Sequence, residues 1–279
     1  MYYTWAKFVF DTLKVSHVES TTRSKSGSLF LRREFLLGGL TGVTAAAGSA
    51  LGAPAEWHLK TMPGGTKLSY SQCGEDVIAL TLLQKIGISS PSYLDVGAFL
   101  PILGSNTYLM SRNGGRGVLV EPNVSCIKEL KSKRPGDIVL NIGIGFTDKE
   151  ETLDYYVLNH PQMNTFDGDE ARRRESDSER QTYIKEVVKM PLVPINKVIA
   201  EHLKGTAPDY LSVDVEGLEL TILKTLDFEK YRPKVICADT LTDGGMRMNN
   251  GSADFLTGKG YVIRGMTHAN TIFMDGKLL

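Results

Sequence analysis

Disulfide pairs, histidine motifs and an excess of charge are absent from this sequence. Its 279 residues include 3 cysteines without C-x-x-C spacing, which argues against a disulfide framework. The 5 histidines form no H-E-x-x-H motif or close pair, so no histidine-rich metal site is predicted. With 32 basic and 32 acidic residues, no global field favours nucleic acid or an anionic membrane. A small molecule is therefore the expected partner.

The first 55 residues are predicted to be a leader. Arg32-Arg33 precedes an uncharged segment, residues 35–55, that ends in the small-residue cleavage pattern Ala53-Pro54-Ala55. This resembles a twin-arginine export signal, which implies the twin-arginine machinery as a partner and a periplasmic or extracellular location. Two alternatives stay open: an uncleaved membrane anchor, since about 20 residues span a bilayer, and a chance arginine pair in a cytoplasmic protein.

The rest of the chain is predicted to hold a linker, residues 56–67, and one catalytic domain, residues 68–279. Between residues 93 and 121 it reads as strand, loop, helix and strand. The strands end at Asp95 and Glu121, with Gly97 after the first. In a doubly wound α/β sheet, ligands bind beyond such carboxyl ends. Gly97 would let the backbone approach a ligand and Glu121 would hold a ribose diol; alternatively, both acids only punctuate strand ends.

Strands and helices continue to alternate along the chain. Further strands are predicted at 137–142, 153–158, 209–214 and 234–239, and a charged segment at 167–180 is expected to be a solvated helix or loop. Two final strands, 261–264 and 271–274, have no helix between them and fit an antiparallel hairpin. The fold class is α/β with a mostly parallel sheet. This hairpin and a missing G-x-G-x-x-G disfavour a nicotinamide-dependent oxidoreductase.

Six short motifs occur in order between residues 68 and 239. They are Ser71-Gln72-x-Gly74-Glu75-Asp76, Asp95-Val96-Gly97-Ala98-Phe99-x-Pro101, Ser105-Asn106-Thr107, Gly115-Arg116-Gly117 with Glu121-Pro122, residues 209–217, and Tyr231-Arg232-Pro233-Lys234-Val235-Ile236. Together they resemble the FkbM family of S-adenosylmethionine-dependent methyltransferases. The resemblance implies a Rossmann-like class I methyltransferase sandwich, with a mostly parallel seven-stranded sheet and an antiparallel C-terminal hairpin.

The resemblance also implies that S-adenosylmethionine is the cofactor. Glu121 would hold its ribose, Asn141 would lie near its adenine, and the helix start after residue 104 would meet its carboxylate. The residues implied to bind it are Asp95, Gly97, Ala98, Ser105, Asn106, Thr107, Glu121 and Asn141. One departure is the bulky stretch 99–103 where related methyltransferases have closely spaced glycines; such a loop would reshape the pocket or remove cofactor binding.

The predicted reaction is methyl transfer to a hydroxyl of a sugar, a glycan or another small molecule. The enzyme has to align the two reactants and remove the hydroxyl proton. Asp214, at the end of the fourth main strand, and Glu216 are the predicted bases, with Asp239 in reserve. No metal ligand is predicted, although Asp214 with Glu216 or Asp239 could hold a divalent cation, and Asp214 could simply cap a helix. The alternative function is an exported binding protein that kept the fold without catalysis.

Overall fold

Two sets of elements build the part of the chain that the structure describes. The computed structural model describes residues 67–176, 181–215, 217–242, 247–248 and 250–279, and Lys67–Leu279 form one unit. The predicted leader and export signal lie outside these residues. The helices are α1 (Glu75–Lys85), α2 (Tyr108–Arg112), α3 (Val124–Lys133), α4 (Gly168–Glu175), α5 (Ile195–His202), α6 (Glu219–Thr225) and α7 (Asn250–Gly258), with 3-10 turns at Pro161–Met163 and Gly276–Leu278. The strands are β1 (Ser92–Val96), β2 (Arg116–Val120), β3 (Ile138–Leu140), β4 (Gly143–Ile144), β5 (Glu151–Leu158), β6 (Ile184–Val193), β7 (Tyr210–Val213), β8 (Val235–Asp239), β9 (Leu241–Thr242), β10 (Arg247–Met248), β11 (Tyr261–Met266) and β12 (Asn270–Asp275).

The main sheet has seven strands in the order β11-β12-β8-β7-β1-β2-β3. Neighbours from β3 to β8 pair in parallel, whereas β12 runs antiparallel to both β8 and β11. The central strands are apolar on both faces, as expected for a sheet covered by helices on each side. The predicted α/β class, with a mostly parallel seven-stranded sheet and an antiparallel C-terminal hairpin, is confirmed.

Helices cover both faces of this sheet. One face packs against α5, α6 and α7 through an apolar cluster that includes Val96, Val213, Ala238, Ile199 and Leu223. The other face packs against α1, α2 and α3 through a second cluster that includes Leu119, Cys237, Leu83, Met110 and Leu130. Burial of these side chains supplies the main driving force for folding, and it fixes the carboxyl ends of β1, β2, β7 and β8 along one edge.

The Ser71-Gln72-x-Gly74-Glu75-Asp76 motif forms the start of α1. The Asp76 carboxylate accepts hydrogen bonds from the Ser69 hydroxyl at 2.6 Å and from the Tyr70 amide at 2.7 Å. The Glu75 carboxylate accepts from the Cys73 amide at 2.8 Å and from the Thr267 hydroxyl at 2.5 Å. Both acids sit in the first turn, where negative charge is favourable, so this motif anchors α1 to the C-terminal hairpin.

A second sheet, ordered β4-β6-β5, extends from the main body. Its longest strand, β6, lies in a stretch where no strand is predicted from the sequence. The helix expected to open at Ser105 begins instead at Tyr108, because residues 105–107 form a loop. In the charged segment, Gly168–Glu175 form α4, capped by Asp167, whose side chain accepts from the Asp169 and Glu170 amides; residues 177–180 lie outside the described residues. Within the described residues, no helix combines the length and apolarity needed to cross a membrane.

Candidate active site

Asp95, at the carboxyl end of β1, is held in a buried polar network. Its side chain is 3% exposed, and its Oδ2 accepts a hydrogen bond of 2.6 Å from the Thr107 hydroxyl. Burial raises the pKa of Asp95, while the Thr107 hydroxyl and the nearby Arg134 guanidinium lower it. Asp95 therefore lies at the base of the site and is already bonded to its own chain.

A buried arginine supports this network from the end of α3. Arg134 donates from Nε to Asp137 at 2.7 Å, from Nη2 to the Thr107 hydroxyl at 3.1 Å, and from Nη1 to the Ser105 hydroxyl at 3.3 Å. It also donates to the Pro101 carbonyl at 3.2 Å. A single guanidinium thus fixes both ends of the loop between residues 101 and 107.

Asn106 links this loop to the neighbouring strand β7. Its Nδ2 donates to the Ser212 hydroxyl at 3.2 Å, and its buried Oδ1 accepts no hydrogen bond from any described residue. The Ser105 hydroxyl accepts from the Tyr108 amide at 3.2 Å, which ties the loop to the first residue of the five-residue helix α2. Ser105, Asn106 and Thr107 are all buried, and the orphaned amide oxygen of Asn106 is the one that needs a donor.

Gly97 lies where the chain leaving β1 passes against the chain leaving the neighbouring strand β7. Its φ of 87° lies in the left-handed region, and a Cβ atom there would collide with the Asp214 carbonyl. The Gly97 and Ala98 amides both donate to the Val120 carbonyl, at 3.0 and 3.1 Å. The close approach that this glycine permits is therefore between two segments of the chain itself, which brings Asp214 beside the loop after β1.

Glu121 sits at the end of β2 and joins two loops. Its Oε2 accepts from the Phe99 amide at 2.9 Å, its Oε1 accepts from the Asn123 amide at 2.7 Å, and its side chain is in a residue only 4% exposed. Burial raises the pKa of Glu121 to about 7, and the nearby Asp95 charge adds to this effect, while the two amides oppose it. Each carboxylate oxygen has a second lone pair, so Glu121 can still accept from a ligand.

The predicted adenine-side residue and the bulky loop flank Glu121. Asn141 donates from Nδ2 to the Glu121 and Pro122 carbonyls, both at 2.9 Å, and so ties the end of β3 to the end of β2. Phe99 has a φ of 40°, a strained value for a residue with a Cβ. Leu103, further along the loop, is 71% exposed. The surroundings of Glu121 therefore combine a backbone held by hydrogen bonds with an apolar side chain that faces solvent.

Three carboxylates converge where β7 and β8 end. One oxygen each from Asp214, Glu219 and Asp239 lies within 4.8 Å of the others. Glu219, the first residue of α6, accepts from the Val215 amide at 2.9 Å and from the Gly217 amide at 3.1 Å. Burial raises the pKa of Glu219, and the Asp239 charge adds to it. The ends of the central strands thus concentrate negative charge.

The structure brings most of the predicted site residues to one edge of the sheet. Glu216, a predicted base, lies outside the described residues. Sequence reasoning missed Arg134, Asp137 and Glu219. For Arg134 and Asp137 the sequence carries a weak signal, an arginine at a helix end followed by Pro135-Gly136 and an acid. For Glu219 the signal is an acid two residues after Gly217.

Residues 95–263, more than half of the chain, match the model of the Methyltransferase FkbM domain. The chain belongs to the FkbM methyltransferase family. The matched span begins at Asp95 and includes the ends of β1, β2, β7 and β8, so the acids described above lie inside the family domain. No curated protein matches the chain.

Solved structures with similar folds include several methyltransferases. An O-methyltransferase from Bacillus cereus in complex with SAH has 14% identity and a TM-score of 0.37, with 98% of each chain covered. A TehB-like SAM-dependent methyltransferase from Corynebacterium glutamicum has 8% identity and a TM-score of 0.38, covering 88% of this chain and 98% of that one. Aeropyrum pernix fibrillarin with bound S-adenosyl-L-methionine has 10% identity and a TM-score of 0.35, covering 75% and 84%. At these scores, membership of the FkbM family rests on the sequence match.

Proposed function

We propose that this FkbM methyltransferase uses S-adenosylmethionine to methylate a hydroxyl of a sugar, a glycan or another small molecule. The observation that carries the proposal is the buried Glu121 carboxylate at the end of β2, which keeps free lone pairs beside the loop that follows β1. In open α/β sheets this is where a ribose diol is bound. Membership of a methyltransferase family then favours a nucleoside that carries a methyl group.

The charge of the site fits such a cofactor. S-adenosylmethionine carries a sulfonium and an ammonium, and the strand ends present Asp95, Glu121 and Asp214. Burial also raises the pKa of the Cys237 thiol; a hydrogen bond with Tyr210 opposes this, and the charges of Glu75, Asp214 and Asp95 add to it. Ribose hydroxyls would donate to Glu121, and the buried Oδ1 of Asn106 is an acceptor to which none of the described residues donates. We infer that Glu121 and Asn106 hold the cofactor.

The proposed chemistry needs alignment and one proton acceptor. When bound, S-adenosylmethionine supplies an electrophilic methyl group, whose bond to sulfur breaks as the acceptor oxygen forms a bond to carbon. Asp214 is the proposed base that takes the hydroxyl proton, because it follows β7 and its backbone is held by the Val96 carbonyl at 3.0 Å. Asp239 is the reserve, since it ends the next strand.

Calorimetric titration with S-adenosylmethionine tests the cofactor assignment. Glu121→Ala should weaken binding by about tenfold or more, since a hydrogen bond to a charged group contributes roughly 1.5–3 kcal/mol. Glu129→Ala, at an exposed acid on α3, is the matched control and should bind as the unaltered chain does. No heat of binding at millimolar ligand would end the proposal. Asp214→Asn should keep binding and lose turnover.

A non-catalytic binding protein is the second candidate function. The strained Phe99 and the exposed Leu103 favour it, because this loop occupies the place of a flexible glycine-rich turn. The two functions differ under single-turnover conditions with a panel of glycosides and methyl-labelled cofactor. Transfer of label to any acceptor excludes the binding protein; cofactor binding without transfer to any member favours it.

Export through the twin-arginine route remains part of the proposal. Its support is the Arg32-Arg33 pair, the uncharged segment after it and the Ala53-Pro54-Ala55 pattern. Since proteins using this route are exported folded, the cofactor can be bound before export. Cell fractionation with N-terminal sequencing tests this: a processed chain that begins at Glu56 supports it, and an intact cytoplasmic chain contradicts it.

A further inference from the structure

The strand next to β8 adds a fourth side-chain oxygen to the three carboxylates at the ends of β7 and β8. Asn270, the first residue of β12, lies directly opposite Asp239 in the antiparallel ladder. Opposite residues in such a ladder point to the same face, with Cβ atoms about 4.5–5.5 Å apart. The Asn270 side chain therefore leaves the sheet beside the Asp239 side chain.

The Asn270 amide oxygen is a buried acceptor to which none of the described residues donates a hydrogen bond. The residue is 1% exposed. A buried acceptor without a donor is unfavourable, and this one lies next to the carboxylate of Asp239. A bound cation would satisfy the amide oxygen and neutralise the carboxylates at the same time.

We propose that Asp214, Glu219, Asp239 and Asn270 form a binding site for a divalent cation of the Mg²⁺ type. All four ligands are hard oxygens, without sulfur or imidazole, which favours Mg²⁺, Mn²⁺ or Ca²⁺. The Glu219 oxygens already accept from two N–H groups: Val215 donates to Oε1, and Gly217 makes a bifurcated bond to both oxygens. This carboxylate can therefore offer the cation one lone pair but cannot bind it in a bidentate way. Monodentate ligands suit the octahedral shell of Mg²⁺ better than the larger shell of Ca²⁺.

The three carboxylate oxygens are close enough to be drawn onto one ion. They lie within 4.8 Å of one another. In an octahedral Mg²⁺ shell, opposite ligands are roughly 4.2 Å apart and adjacent ones about 2.9 Å, so pairs that become adjacent close by up to about 2 Å on binding. Four protein oxygens leave the remaining positions of the shell to water or to another oxygen ligand.

The role of the cation in the reaction rests on the proposed function. The acceptor hydroxyl takes one of the remaining positions of the cation's coordination shell. A cation lowers the pKa of a bound hydroxyl and fixes its direction. One Asp214 oxygen then binds the cation, and its other oxygen takes the hydroxyl proton. The preferred acceptors are those that offer two adjacent hydroxyls, because a diol can fill two adjacent positions of the shell.

Mn²⁺ binding to the full chain, freed of metal with a chelator and measured by electron paramagnetic resonance without cofactor, tests the site. The unaltered chain should bind one Mn²⁺, and Asp239→Asn should weaken binding by about tenfold or more. Asp254→Asn, at an exposed acid on α7, is the matched control and should have no effect. Equal affinities for these two variants, or no saturable binding to the unaltered chain, would overturn the proposal.

Two substitutions at Asn270 keep the test independent of folding. Asn270→Asp retains the shape and adds a charged oxygen, so it should bind Mn²⁺ more tightly, which misfolding cannot imitate. Asn270→Leu removes the oxygen and should weaken binding. Unchanged affinity in both variants would exclude Asn270 and overturn the site as proposed. Calorimetric titration with S-adenosylmethionine in the presence of chelator distinguishes failure of the metal site from failure of the proposed function. Cofactor binding should persist without metal, and a lack of cofactor binding would count against the proposed function.

Discussion

Gly97 passes so close to Asp214 that a Cβ atom on Gly97 would stand 1.9 Å from the Asp214 carbonyl oxygen. We expect Gly97→Ala to destabilise the domain by more than about 3 kcal/mol, because the contact is with backbone and the φ of 87° is also unfavourable for alanine. Urea denaturation measures the loss.

Gly104→Ala is the control for the backbone angle alone. Gly104 has a φ of 78°, and a Cβ atom there would meet nothing within 4 Å. The expected cost is about 1–2 kcal/mol, the general cost of a left-handed conformation for a residue with a Cβ. Similar losses for both variants would refute the steric explanation at Gly97.

The raised pKa of Glu121 predicts a specific pH dependence of stability. Its folded pKa of about 7 exceeds the ordinary value of 4.5, so the folded state favours the protonated acid. Its contribution to stability is present below pH 4.5 and is lost as pH rises to about 7. Relative to Glu121→Gln, the unaltered chain should lose roughly 3 kcal/mol across this window, at about 1.4 kcal/mol per pKa unit.

Chemical denaturation of both proteins between pH 4.5 and 8 measures this difference. Comparing how the two stabilities change with pH removes the constant cost of placing the side-chain amide of the Glu121→Gln variant against the Phe99 and Asn123 backbone amides. A difference in stability that does not change with pH would contradict the prediction. Because a ribose diol donates preferentially to the ionised acid, cofactor binding should strengthen between pH 5.5 and 7.5 in the unaltered chain alone.

The Thr107 hydroxyl should matter for stability because it donates to Asp95 and accepts from Arg134. Thr107→Val keeps the shape and removes both bonds, with an expected cost of about 1.5–3 kcal/mol. Thr257→Val is the control, since that hydroxyl only bonds to carbonyls of its own helix and its residue is exposed. Its expected effect is within about 0.5 kcal/mol. Equal effects in urea denaturation would show that the Thr107 bonds contribute little.

The Arg134–Asp137 ion pair should show strong coupling in a double-mutant cycle. Both side chains are 0% exposed, so removing one partner leaves a buried charge, at a cost of about 3–5 kcal/mol. Arg134→Met with Asp137→Asn should cost clearly less than the sum of the single changes. The Arg172–Asp169 pair has the same spacing but side chains 60% and 95% exposed, and its cycle should give less than about 1 kcal/mol. Additive losses at the buried pair would contradict this.

The sequence predicts the main sheet well because its strands are short apolar runs that end in acids or glycine. Asp95, Glu121 and Asp214 follow such runs, so their place at one edge follows from parallel pairing. The sequence does not predict β6 because half of its residues are exposed and Pro191 interrupts its pattern. Exposed strands show neither a buried run nor clean alternation.

The internal contacts of the site are much harder to predict than its location. Arg134 enters the core through partners that lie about 30 residues earlier in the chain, at Ser105 and Thr107. Glu219 gains its position because the loop after β7 turns back onto it. No local periodicity encodes such contacts, since they depend on how distant segments are packed. The sequence therefore predicts where acids gather, and the structure identifies what they bond to.

The position of β12 has a consequence for folding. β8, a central strand of the sheet, pairs on one side with β12, which follows every other strand of that sheet in the chain. Until β12 docks, that side of β8 is an open row of backbone donors and acceptors, which invites pairing with other chains. A chain cut before Asn270 would therefore keep an aggregation-prone edge.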